Sequence, residues 1–170
     1  MNPDAATHKL IADCRVLIAF SLIQSAMADL KRRLPGNVPG EFFVDSRCID
    51  CDACRQLAPE VFSALGGYSV VSHQPATRDE HCHASQAVFA CPTGSIGVSD
   101  GSIEYRNGIN DFPLQLDGDV YYCGFNSEKS FGGNSYFVRH PDGNWMIDSP
   151  RFTRHLVDKF KAAGGLKYIS

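Results

Sequence analysis

Three cysteines at successive three-residue steps, Cys48, Cys51 and Cys54, and a fourth in the pair Cys91-Pro92 are the residues whose types and spacing can do chemistry. A loop that presents thiolates this way can wrap one iron–sulfur cubane, each sulfur reaching a different iron, while a Cys-Pro from elsewhere supplies the fourth ligand. The expected cofactor is one [4Fe-4S] cluster held by Cys48, Cys51, Cys54 and Cys91, and the expected chemistry is one-electron transfer. Zinc is the rival, because His81, Cys82 and His83 lie close enough in sequence to invite a Cys/His site. Zinc sites generally use one pair of ligands separated from a second, whereas a third thiol on the same step plus Cys-Pro is the cluster pattern. No zinc site is therefore assigned, and His81 and His83 read as helix-face residues.

The register of the motif says more. A two-cluster arrangement repeats C-x2-C-x2-C-x3-C-P, the last cysteine of each run serving the other cluster. After Cys54 the Pro survives at Pro59, but Ala58 stands where the fourth cysteine belongs. Counting back from Cys91, a second set needs thiols at Ala87, Ala84 and His81, and none is cysteine. On these residues the chain resembles the bacterial-type ferredoxins, reduced to a one-cluster domain whose second site has lost its ligands. Cys82 is one place out of register; it reads as a buried thiol, with a cluster contact as the alternative.

The thiols need elements to hold them. Phe42-Phe43-Val44 reads as a short strand feeding the cysteine loop, with Ser95 to Val98 as its partner after Cys-Pro. Tyr68 to Val71 follows a Gly66-Gly67 turn, which suggests a hairpin where a second cluster would otherwise lie. Thr77 to Ala90 reads as a helix that delivers Cys91, with Cys82, Ala84, Ala87, Val88 and Phe89 inward and Arg78, Asp79, Glu80 and Gln86 outward. Asp45, Asp50 and Asp52 flank the thiols, and they read either as an acidic docking face for an electropositive redox partner protein or as a solvated acidic surface.

Charge and composition frame this centre. The chain has 170 residues, room for one ordinary domain or two small ones, and its 44% hydrophobic content can fill a core. Residues 41–105 carry three bases against nine acids and hold five of the seven cysteines, so the centre sits in an acidic block. A net charge of −3 argues against a partner that is bulk nucleic acid or an anionic membrane. An odd cysteine count fits poorly with a closed disulfide framework, so a reducing, cytoplasmic setting is expected.

The two ends are read differently. Leu10 to Ala28 is the one long apolar stretch, and Asp13 and Arg15 make it an expensive membrane span. It reads as a packing helix, as the h-region of an export signal ending at Ala26-Met27-Ala28, or as an extension ahead of a start at Met27. Leu34 to Gly40, with two Pro and two Gly, reads as a linker. Beyond a loop at 106–118, strands are expected at Asp119–Phe125, Ser135–His140 and Asn144–Asp148, then a helix opened by Ser149-Pro150 and a strand from Leu166. Cys123 reads as a packing thiol and Ser127-Glu128-Lys129 as a polar turn.

The run Tyr122 to Tyr136, with Asn144 to Pro150, resembles the opening of metallo-β-lactamase-fold proteins. The stretch from about residue 38 to 170 accordingly resembles the family that fuses a one-cluster ferredoxin ahead of that fold. The resemblance implies a metal site made by a His/Asp-rich loop beyond Leu166–Ser170, and the chain is expected to stop short of it, since no H-x-H-x-D-H run is present. Asp148 matches an aspartate of that fold but reads as a helix-start residue, and no catalytic residue is assigned.

The expected fold class is α+β: an extension or leader at 1–37, a one-cluster ferredoxin-like domain at 38–105, and an incomplete sheet-and-helix unit at 106–170 with exposed apolar surface. The rivals to an electron carrier are a hydrolase or oxidoreductase whose catalytic part lies outside this chain, and a cluster that is purely structural.

Overall fold

The computed structural model describes residues 28–99 and 104–170, so all but the last residue of the Leu10–Ala28 stretch lies outside the described residues. The first unit contains β1 (Phe42–Val44), α1 (Ala53–Leu57), β2 (Phe62–Leu65), β3 (Tyr68–Val71), α2 (Arg78–Ala90) and β4 (Ile96–Val98). β1 pairs antiparallel with β4, Phe43 opposite Gly97, and β2 with β3 through the Gly66-Gly67 turn, as the sequence leads one to expect. Both glycines have positive φ, 60° and 82°, which a two-residue hairpin turn requires.

The two small sheets are stitched by one buried side chain. Asn37 accepts from the amides of Val44 (3.0 Å) and Val71 (2.9 Å) and donates to the carbonyls of Leu34 and Val44. Its amide thus substitutes for a missing strand between β1 and β3, and segment 34–40 is an integral part of the unit rather than a tether. Gln74 does the same for Phe42, accepting from its amide and donating to its carbonyl.

α2 begins where the sequence places it. Thr77 accepts from the Glu80 amide while the Glu80 carboxylate takes the Thr77 and Ala76 amides, a complete capping box. Its packed face is made of small side chains: Ala84 and Ala87 let the helix lie close against Phe42, Val61 and Ile96, while Ala90 packs in the core of the second unit. The expected facing needs two corrections: Gln86 is buried and Cys82 is exposed. The cause is a 3-10 segment, Glu104–Asp111, lying along the helix; Asp111 accepts from the Gln86 amide at 2.8 Å and draws that side chain under it.

The second unit is a five-stranded sheet, β5 (Leu114–Asp117), β6 (Val120–Tyr122), β7 (Tyr136–Val138), β8 (Trp145–Ile147) and β9 (Tyr168–Ile169), with α3 (Arg154–Ala162) before its last strand. β5 to β8 run antiparallel and β9 adds parallel to β8. Phe137 and Met146 stand side by side on one face and pack on Leu156 and Phe160 of α3, with the Phe137 and Phe160 rings 4.9 Å apart. The opposite face leaves Val120, Trp145 and Ile147 exposed, the apolar surface expected of this segment.

Two expectations are corrected here. Residues 114–117 form a strand instead of a loop, and α3 starts at Arg154, after its cap Thr153, instead of at Ser149-Pro150. Thr153 caps it by accepting from the Leu156 amide, while the Arg151 amide bonds to the Phe125 carbonyl and keeps the preceding segment out of the helix. Asp148 is therefore no helix-start residue; its φ is 57° and its amide bonds to the Ser170 carbonyl.

The units meet at Leu57 of α1 and Phe89 of α2, which pack against both hydrophobic cores. These side chains sit next to the two segments that carry the thiols. No helix among the described residues is long and apolar enough to cross a membrane.

Candidate metal centre

The loop from Cys48 to Cys54 is wound by two left-handed residues, Asp50 (φ 55°) and Asp52 (φ 69°), a conformation aspartate tolerates better than most side chains. The two reversals turn successive three-residue steps toward one side. Arg55, the first residue after Cys54, fixes that winding: its guanidinium donates to Asp50, to Asp52 and to the Ser69 hydroxyl on β3 (2.7 Å). Arg47 holds the entry to the loop, pairing with the buried Asp45 and donating to the Gly94 carbonyl in the turn that follows Cys91.

Cys91 arrives from the other direction. Its amide closes the last turn of α2 on the Ala87 carbonyl, and Pro92 prevents continuation. Its sulfur accepts from the Ser95 amide at 3.3 Å and lies 3.6 Å from the Thr93 hydroxyl. The Cys48 sulfur accepts from the amides of Asp50 and Ser69, each at 3.4 Å. Such N–H···S contacts stabilise negative charge on sulfur and are a recognised lever on cluster potential.

All four thiols line one small cavity, whose other walls are Val44, Ile49, Ala53, Ser69, Thr93, Ser95 and Ile96. Burial pushes the Cys54 thiol up to about 12, and the approach of Cys91, Cys48 and Cys51 adds to the rise against the opposing bond with Ser69. Cys51 is shifted upward for the same reasons, burial first and then Cys91 and Cys48. Iron requires the thiolates, so loading such a site releases protons. Among the described residues no three His, Cys, Asp or Glu side chains converge as a single bound ion requires. Four sulfurs around a common cavity form an all-thiol donor set that iron–sulfur clusters and zinc both use, and the C-x2-C-x2-C spacing with a distant Cys-Pro is the cluster pattern.

The second unit packs beside this cavity, against Cys51 and Pro92. Gly132 (φ 78°) lies so near that a Cβ there would stand 2.7 Å from the Cys51 Cβ and 3.3 Å from Pro92. Tyr122 is buried nearby, bonded through its hydroxyl to Asn126. Arg151 places its guanidinium against the end of α2, Nη2 donating to the carbonyls of Cys91 (3.2 Å) and Phe89 (3.5 Å). None of these three carries a signal in the sequence; Ser69 and Ser95 could have been suspected as polar residues in strands beside the thiols.

The remaining candidates go elsewhere. Asp45 is fully buried against Arg47, so it is no part of a docking face, and Asp50 and Asp52 are tied to Arg55. Cys82 lies outside the thiol cavity, beside Asp111, in a groove also lined by His81. Of the second-cluster positions, Ala58, Ala84 and Ala87 are wholly buried in the first core, where hydrophobic packing occupies their place, and His81 is exposed. Cys123 is a packing thiol 3.9 Å from the Met146 sulfur, pushed up to about 12 by burial. Ser127 caps a 3-10 turn at Glu128–Ser130.

Residues 44–98 match the 4Fe-4S single cluster domain of ferredoxin I. The matched stretch runs from the end of β1 to the end of β4 and takes in all four thiols. Residues 106–170 fall outside this match, and the metallo-β-lactamase resemblance gains no support. No curated protein and no solved structure matches the chain.

Proposed function

We propose that the chain is a one-electron carrier working through a single [4Fe-4S] cluster held by Cys48, Cys51, Cys54 and Cys91. The observation that supports this best is the meeting of a C-x2-C-x2-C loop and a distant Cys-Pro in one thiol-lined cavity within a ferredoxin domain. The cluster supplies the redox change. The chain supplies amide donors from Asp50, Ser69 and Ser95, a pre-wound loop, and apolar cover that limits solvent access.

A redox partner protein docks, on this reading, at the shoulder formed by Ile49 and Asp50, where the cysteine loop reaches the surface. Anaerobically purified protein should contain about four iron and four sulfide per chain, the composition of one cubane, and show a reversible one-electron EPR signal on reduction. Cys91→Ser should abolish or convert that signal. An unchanged spectrum in this variant would overturn the ligand assignment, and a cluster that cannot be reduced reversibly would make it a structural staple instead.

A further inference from the structure

Arg151 of the second unit carries its charge to the end of α2, onto the Cys91 carbonyl. Arg151 precedes α3, and its backbone is pinned by the bond from its amide to the Phe125 carbonyl at 2.7 Å. From there the side chain crosses to the first unit, where Nη2 meets the carbonyls of Phe89 and Cys91 while Nε is buried with no partner. Burying a guanidinium costs free energy that two carbonyl contacts only partly offset. Cys91, a proposed ligand, is the residue whose carbonyl it holds, so the negative charge of a loaded centre is a compensating interaction available there.

We propose that Arg151 is a positioning and charge-supplying residue for the cluster, raising its reduction potential from a unit outside the ferredoxin domain. The inference rests on the carrier reading above. A fixed positive charge on the backbone of a ligand residue favours the reduced, more negative state of the cluster over the oxidised one. The bonds of Arg151 to two carbonyls at the end of α2 hold the charge at a fixed place relative to Cys91.

The test is potentiometric, on full-length protein with Arg151→Lys, Arg151→Met and Arg151→Gln. The neutral variants should disfavour reduction by about tenfold, a fall of about 59 mV for one electron, while the lysine variant stays near the wild type. Neutral variants that lose the cluster while lysine retains it would also support the proposal, because the anionic group then needs the charge. Potentials unchanged in the neutral variants overturn it. So does a lysine variant shifted as far as the neutral ones, or loss of the cluster in all three, since either outcome makes the residue a structural prop. A wild type with no reducible cluster overturns the carrier reading itself, and this proposal with it.

Discussion

At the scale of single residues, the buried carboxylate of Asp45 shows how the centre is anchored. Burial alone would raise its pKa, but the Arg47 side chain and the amides of Asp29 and Arg47 outweigh that and hold it below the ordinary value. A folded value below the unfolded one of about 3.9 means the ionised form favours the fold. That contribution is fully present above about pH 5 and fades as pH falls through the folded value. Asp45→Asn should cost about 1–3 kcal/mol at neutral pH and flatten the acid side of a stability–pH profile measured by urea unfolding. The same acidic slope in the variant would show that Asp45 does not carry it. Arg55 is a second anchor, and Arg55→Ala should free Asp50 and Asp52 and speed the loss of iron to a chelator.

At the scale of elements, the close approach of Gly132 to Cys51 makes the loop at 127–134 a fitted cover. Gly132→Ala must both move that loop and place a side chain at φ 78°, a penalty of about 1–2 kcal/mol. Bleaching of the cluster in air should then run several-fold faster, followed by visible absorbance; an unchanged rate would mean the loop is no barrier. Asn37→Ala removes the acceptor for two buried amides and should lower stability by about 2–4 kcal/mol. Local signals made much of this legible. The cysteine spacing, the Thr77 cap, the Gly66-Gly67 turn and the β1–β4 pair are all written in short stretches. What depends on contacts between distant segments was not: Gln86 turned inward by Asp111, the late start of α3, and a strand at 114–117 that exists because β6 offers it an edge. Gly132 and Arg151 belong to the same class, since their meaning comes from packing against Cys51 and Cys91 rather than from their neighbours in sequence.

At the scale of the whole molecule, Leu57 and Phe89 join two cores at the base of the thiol segments. Ligand binding to one part should therefore be felt in the other. Removing iron with a chelator should speed hydrogen exchange in β6 and β7 as well as in the cysteine loop; exchange confined to residues 44–98 would show the units to be energetically separate. The packing of the second unit on Cys51 has one more effect. Cys54 and Cys91 are buried and Gly132 crowds Cys51, so among the described residues the exposed Ile49 marks an approach from solvent. On the proposed carrier reading, a donor and an acceptor that both dock there exclude one another and must use the same doorway in turn. Such a carrier would shuttle, collecting an electron in one encounter, diffusing free, and surrendering it in the next.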